Sequence, residues 1–151
     1  MFIDSPGYIL KPLALRQKTP ESRQRYRVTI HLISAQRLPP SSDLFVEASI
    51  GAASRKTSLL QGVAINPQWE ETICFDITIF PSMLCLTFLH LEIKHRTLLA
   101  QWVRSLDAAP RGYHHLPLYD SLFSRYVFAT LFVRIDIDEL PLDEIVHSCL
   151  G

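Results

Sequence analysis

The sequence predicts an all-β fold, and three stretches carry that prediction. From Leu44 to Ile50 the apolar residues are Leu44, Val46, Ala48 and Ile50, the period of two of a strand with one face in a core and the other in water. The same alternation returns in Trp69, Ile73, Phe75 and Ile77, and again in Ala129, Leu131, Val133, Ile135 and Ile137. With 151 residues at 48% hydrophobic, the chain has material for one domain with a sizeable core.

Taken in order, residues 1–24 do not read as the start of a domain. Pro6, Gly7, Pro12 and Pro20 interrupt them, and only Tyr8-Ile9-Leu10 is strand-like. The first strand begins at Arg25, with Tyr26, Val28, Ile30 and Leu32 on one side and Arg27, Thr29 and His31 on the other. It ends at Leu38. Pro39, Pro40, Ser41 and Ser42 are expected to form a loop outside any ladder, because proline has no N–H to donate. After the strand from Leu44 comes a short basic one, Arg55-Lys56-Thr57-Ser58-Leu59. Asn66-Pro67 is turn chemistry that sets the start of the next, which closes by Pro81.

From Leu84 to Ile93 both parities are apolar, Leu84, Leu86 and Phe88 on one and Leu89, Leu91 and Ile93 on the other, as in a central strand buried on both faces. His95-Arg96-Thr97 then connects to a strand over 98–103. A segment over Gly112–Leu118 and the strand 129–137 complete the set. The predicted core contains Val28, Ile30, Val46, Trp69, Phe75, Leu131 and Val133.

The formal net charge is zero, which argues against nucleic acid as a partner, since phosphate binding needs a basic excess. Charge is nonetheless uneven: six basic residues between Lys11 and Arg27 face one Glu21, and beyond Arg134 the charged residues are all acidic. Cys74, Cys85 and Cys149 contain no C-x-x-C pair and read as reduced thiols rather than a disulfide framework or a zinc site. No run approaches the ~20 apolar residues of a membrane span, and the N-terminus lacks signal-peptide character. Contact with a bilayer is then expected to be peripheral, from the cytoplasm.

Asp43-Leu44-Phe45-Val46-Glu47, followed by Lys56-Thr57 and by Asn66-Pro67-Gln68-Trp69-Glu70 with Phe75, resembles the middle of a C2 domain. Gly7-Tyr8-Ile9-Leu10-Lys11-Pro12 resembles the closing segment of the catalytic barrel in eukaryotic phosphoinositide-specific phospholipase C. Leu98-Leu99-Ala100-Gln101-Trp102-Val103 and Gly112-Tyr113-His114-His115-Leu116-Pro117-Leu118 resemble later segments of that family. The resemblance implies an eight-stranded antiparallel β-sandwich of C2 type over 25–137. Residues 1–24 would be the end of a barrel and a linker, and residues 138–151 an acidic C-terminal tail.

The resemblance further implies a C-terminal C2 domain acting as a membrane-docking and scaffold module. The family reaction is hydrolysis of phosphatidylinositol 4,5-bisphosphate to diacylglycerol and inositol trisphosphate. Its residues lie on a barrel that precedes Gly7, so no catalytic residue is assigned and the chain alone is expected to be inactive. The partners implied are an anionic phospholipid surface, bound weakly, and the catalytic barrel of a parent phospholipase. The alternative is a free-standing, calcium-independent C2-type module.

Calcium belongs to the parent family's barrel and no cofactor is expected here. Asp43 matches the family's loop-one aspartate, but the loop-three positions read His95-Arg96-Thr97 and offer no carboxylate to an ion that wants about 6 to 8 oxygens. Asp43 is therefore expected to be a vestigial calcium position, bonding its own backbone in a turn. Lipid contact falls to Arg55, Lys56 and Arg27, with Arg16, Lys18, Arg23 and Arg25 adding charge and Glu70, Glu71 and Asp76 offsetting it. His114-His115, with Asp107 and Asp120 in reach by sequence, suggests acid–base or metal chemistry, but adjacent strand residues face opposite ways and the pair reads as structural.

Overall fold

The computed structural model describes residues 21–142. Nine strands fill them: β1 (Gln24–Gln36), β2 (Ser41–Ile50), β3 (Ala53–Lys56), β4 (Leu60–Ala64), β5 (Gln68–Ile79), β6 (Phe88–Lys94), β7 (Leu98–Ser105), β8 (Gly112–Tyr119) and β9 (Arg125–Leu140). Eight of them form the path β3-β2-β6-β7-β8-β9-β1-β5, and β4 pairs with β2 beside it. Every pairing is antiparallel. Between β7 and β8 the ladder thins to the single pair Gln101↔Tyr119. The path therefore folds there into two four-stranded sheets, β3-β2-β6-β7 and β8-β9-β1-β5, packed over one core.

The sequence period explains which face is inside. Val28, Ile30 and Leu32 of β1, Val46 and Ala48 of β2, Leu89, Leu91 and Ile93 of β6, and Leu131, Val133 and Ile135 of β9 are all fully buried. All seven predicted core residues lie in this cluster. Trp69 packs at its margin, where its indole N–H donates to the Leu44 carbonyl at 3.3 Å and ties β5 to β2 across the sandwich. At about 1.5–3 kcal/mol for each large side chain buried, this cluster is the main favourable contribution to folding.

Because the strands alternate in direction, the β1–β2, β4–β5, β6–β7 and β8–β9 connections gather at one end, the loop end. The β2–β3, β5–β6 and β7–β8 connections lie at the other. Several expected boundaries move. Ser41 and Ser42 do join a ladder, opposite Ala64 and Val63 of β4, because that strand supplies an unforeseen partner. The basic strand is Ala53–Lys56, and Thr57 leaves it to place its hydroxyl on the Val46 N–H at 2.9 Å.

Leu84 and Leu86 belong to a 3₁₀ helix, Pro81–Leu86, not to a strand: Pro81 favours the first helical turn. Phe88, half exposed, then starts β6, so β6 alternates cleanly and is buried on one face only. β9 continues to Leu140, where Asp138, Glu139 and Leu140 pair with Arg27, Tyr26 and Arg25, so the first three residues of the expected tail are strand. Of the cysteines, Cys85 is a free, exposed thiol, whereas Cys74 is buried and disulfide-bonded, against the expectation of reduced thiols throughout. The barrel-like segment Gly7–Pro12 lies outside the described residues.

Candidate membrane-contact surfaces

Asp43 occupies a bulge of β2, between Ser42 and Leu44, with φ at +56°. It is one of the few residue types that accept the left-handed region, and its carboxylate explains the choice here. Asp43 Oδ1 accepts the Gly62 N–H of β4 at 3.2 Å. The expectation that it bonds its own backbone was wrong in partner: the bond crosses to the neighbouring strand and holds β4 on β2. The β6–β7 connection brings His95, Arg96 and Thr97 to the same end, closed by a His95 N–H bond to the Thr97 carbonyl at 3.2 Å. Among the described residues, no three His, Cys, Asp or Glu side chains gather as a metal site would require.

Arg55 and Lys56 lie exposed on β3, an edge strand. Both are held over aromatic rings, Arg55 at 6.0 Å from the Phe75 centroid and Lys56 at 5.5 Å from that of Phe45. Arg27 stands apart on β1, its Nε 3.1 Å from Asp76 Oδ1, and Arg25 reaches the other oxygen of the same carboxylate at 3.3 Å. The three residues singled out for lipid contact thus occupy two different sheets and do not form one patch.

The outer face of β2 and β6 beside Lys56 is charge-compensated. Lys94 Nζ binds Glu47 Oε1 at 2.9 Å and lies 3.8 Å from Glu92, whose other oxygen is 3.8 Å from His90 Nε2. The hydrogen bond from Lys94 holds the Glu47 carboxyl below its ordinary value, and the same bond holds the Lys94 ammonium above its own. The exposed face of β2 and β6 beside Lys56 therefore carries little net charge.

His114 and His115 diverge as adjacent strand residues must. His114 Nε2 lies 2.8 Å from the Arg111 carbonyl, and His115 stacks on Phe132 with centroids 4.4 Å apart. Asp107 accepts from the Ser105 hydroxyl and Asp120 from two backbone N–H groups, so neither carboxylate meets an imidazole. On the same outer face, Thr29, His31, Thr72, Tyr113, Arg134 and Asp136 line a shallow depression of about 260 Å³. Its Arg134 is committed to Asp136 at 2.9 Å and sits over the Tyr113 ring.

Sequence reasoning missed the most conspicuous surface. Beyond Tyr119 the β8–β9 hairpin projects from the loop end with Leu122 84% exposed, Phe123 56%, Val127 78% and Phe128 67%. Val63, at 73%, and Ile65, at 49%, are exposed at the same end, on β4 and in the connection to β5. A signal was present: in Ser121-Leu122-Phe123-Ser124 apolar residues stand inside a turn, where polar ones are the rule. Val127 has the core parity of β9, however, and only the structure reveals that the sandwich ends before it.

The fold and these surfaces define a C2 domain. The C2 domain family profile matches residues 26–112, more than half the chain, and the chain belongs to that family. Its curated relatives are more particular. The chain is 25% identical to human 1-phosphatidylinositol 4,5-bisphosphate phosphodiesterase delta-1 over 158 aligned positions, covering 88% of this chain and 21% of that protein. It is 28% identical to the bovine zeta-1 phosphodiesterase of the same name, over 89% of this chain and 24% of the relative. The chain thus spans about a fifth to a quarter of the length of these relatives. Among solved structures, PLC21 from L. pealei superposes with a TM-score of 0.66 at 19% identity, covering 80% of this chain and 16% of that one. The paired C2 domains of extended-synaptotagmin 2, in their calcium-bound form, give 0.67 at 19%, over 86% and 48%. At such identities these structures establish the fold.

Proposed function

We propose that this C2 domain is a calcium-independent membrane-docking and scaffold module of a phosphoinositide-specific phospholipase C, peripheral to the cytoplasmic face of a membrane. In this reading it orients a catalytic barrel and carries no active site. The barrel would hydrolyse phosphatidylinositol 4,5-bisphosphate, as the names of the relatives describe for those proteins. The observation that supports calcium independence is the loop end itself. Its Asp43 carboxylate is bonded to the Gly62 N–H, and the facing connection carries His95-Arg96-Thr97 in place of acids. A calcium ion there would meet one engaged carboxylate and a guanidinium, far short of the oxygens it requires.

The attraction left is that between cations and anionic lipid. Arg55 and Lys56 are exposed and held by their rings, and each such charge near the surface contributes about 1 kcal/mol. Arg27 contributes less in this reading, because Asp76 accompanies it. Co-sedimentation of the chain with phosphatidylcholine vesicles containing phosphatidylserine tests the proposal. Weak binding is expected, equal in chelator and in calcium. Binding that appears only when calcium is added would refute it.

A further inference from the structure

Three cysteines stand in the chain, Cys74, Cys85 and Cys149. Cys74 is disulfide-bonded and Cys85 is a free thiol, so within one chain Cys149 alone is left to bond Cys74. The place of Cys74 on β5 supports the same pairing. Alternate residues of a strand share a face, so Cys74 stands in the outer row with exposed Thr72 and Asp76, while Ile73 and Phe75 belong to the core. Cys74 is nonetheless only 8% exposed. Opposite it on β1, the Thr29 hydroxyl lies 3.8 Å from its Sγ. Burial in a row that otherwise faces water is what a partner bonded on the outer side produces.

The end of β9 lies within reach. The Leu140 carbonyl accepts from Gln24 Nε2 at 2.9 Å and the Pro141 carbonyl from Arg25 Nη1 at 3.5 Å, so the chain leaves β9 beside the first residues of β1. Arg25 pairs with Thr78 of β5, and Cys74 lies four residues from Thr78 on that strand, about 13 Å away. Cys149 follows Pro141 by eight residues, which extended reach about 26 Å. That span is ample for the two Cα atoms to come within the roughly 4–7 Å that a disulfide needs. Cys85 is committed elsewhere: it sits in the Pro81–Leu86 helix, where its Sγ donates to the Ser82 carbonyl at 3.4 Å.

We infer that Cys74 and Cys149 form a thiol–disulfide switch that fastens the C-terminal end of the chain to the outer face of β5. β5 ends the strand path, with β1 as its ladder partner, so the bond secures an edge strand. Disulfides that form in the cytoplasm are transient and redox-sensing, because the glutathione pool there is reducing. Closure passes two electrons to glutathione disulfide. One cysteine thiolate attacks it and releases one glutathione, and the second thiolate displaces the other glutathione from the mixed disulfide. The two thiol protons are accounted for in two molecules of reduced glutathione, and opening is the reverse. The pairing does not depend on the membrane-docking reading; only the resting state, open in the cytoplasm, follows from it.

The test uses the full chain carrying Cys85→Ser, which removes the exposed thiol. It is equilibrated with glutathione disulfide or with reduced glutathione, denatured, alkylated with N-ethylmaleimide and weighed. No alkylation is expected after oxidation and two after reduction, and a digest of the oxidised chain should contain a peptide joining Cys74 to Cys149. The melting temperature should fall by about 10 °C when reductant is added, since the bond closes a long loop in the unfolded chain. Cys149→Ser in the same background should show no such fall. Two alkylations after both treatments, a glutathione adduct that never closes, or a bond between two chains would overturn the pairing. A bond that survives a glutathione buffer dominated by the reduced form would be structural and would overturn the switch. Neither result depends on vesicle binding, so failure here leaves membrane docking standing.

Discussion

Gln101 joins β6 and β7 to the base of the β8–β9 hairpin, beside the Tyr126 bond to Leu99, and replacing it by leucine should cost about 2 kcal/mol. Its side chain is 3% exposed, its Oε1 lies 2.8 Å from His90 Nε2, and its Nε2 lies 3.0 Å from the Asp120 carbonyl. It also belongs to the single pair through which β7 meets β8. Gln101→Leu removes both bonds, each contributing a net ~0.5–1.5 kcal/mol. The groups left behind are not fully stranded. The Asp120 carbonyl keeps the Phe123 N–H at 3.0 Å, and His90, about a third exposed, can turn to water. The loss is therefore set near the sum of the two bonds, about 2 kcal/mol, below the penalty for two orphaned buried groups. Urea unfolding should show a lower midpoint with unchanged slope, and the melting temperature should fall by roughly 5–10 °C. A change under about 0.5 kcal/mol, the size expected of a surface substitution, would refute the idea that Gln101 ties the sheet junction.

Two further outcomes follow from the ion pair and the bulge. Glu47 is held below its ordinary value by the Lys94 hydrogen bond, so its contribution is present above the unfolded carboxyl value, near pH ~4, and is lost as pH falls through the folded value. Lys94 is held above its ordinary value by the same bond, so its contribution is complete below about pH 10 and is lost as pH rises past the folded value. Glu47→Gln should lower stability by about 1 kcal/mol at neutral pH, and denaturation at about pH 3 should show the gap narrowing. Asp43→Asn keeps both the left-handed preference and an acceptor for Gly62, so the melt and vesicle binding should be unchanged, whereas a calcium-dependent domain would lose binding with this carboxylate.

The fold was legible where a strand is long and half-buried. β1, β2, β5 and β9 were placed by period alone, because one face of each lies on a single core and the alternation has no competitor. Legibility failed where local geometry overrode parity. Leu84 and Leu86 looked like strand because an apolar run does not distinguish a strand from a 3₁₀ turn begun by Pro81. Glu70, with φ at +51°, and Asp43 each sit at a bulge that sequence alternation does not mark.

The candidate site was legible in part for the same reason. Residue type gave the basic character of Arg55 and Lys56, but their pairing is a matter of register. Only the ladder placing Glu47 beside both Lys56 and Lys94 reveals how much of that charge is cancelled. The hairpin was overlooked because Val127 keeps the core parity of Ala129 and Leu131, while its exposure depends on where the facing sheet stops.

In the proposed function the domain meets the membrane without calcium, through exposed basic side chains such as Arg55 and Lys56. Hydrogen exchange of the chain bound to anionic vesicles in chelator tests it most directly. Protection is predicted over β3, Ala53–Lys56, which carries Arg55 and Lys56, with the Pro81–Leu86 helix unchanged. Protection confined to Pro81–Leu86, or appearing at the loop end only after calcium is added, would contradict the account.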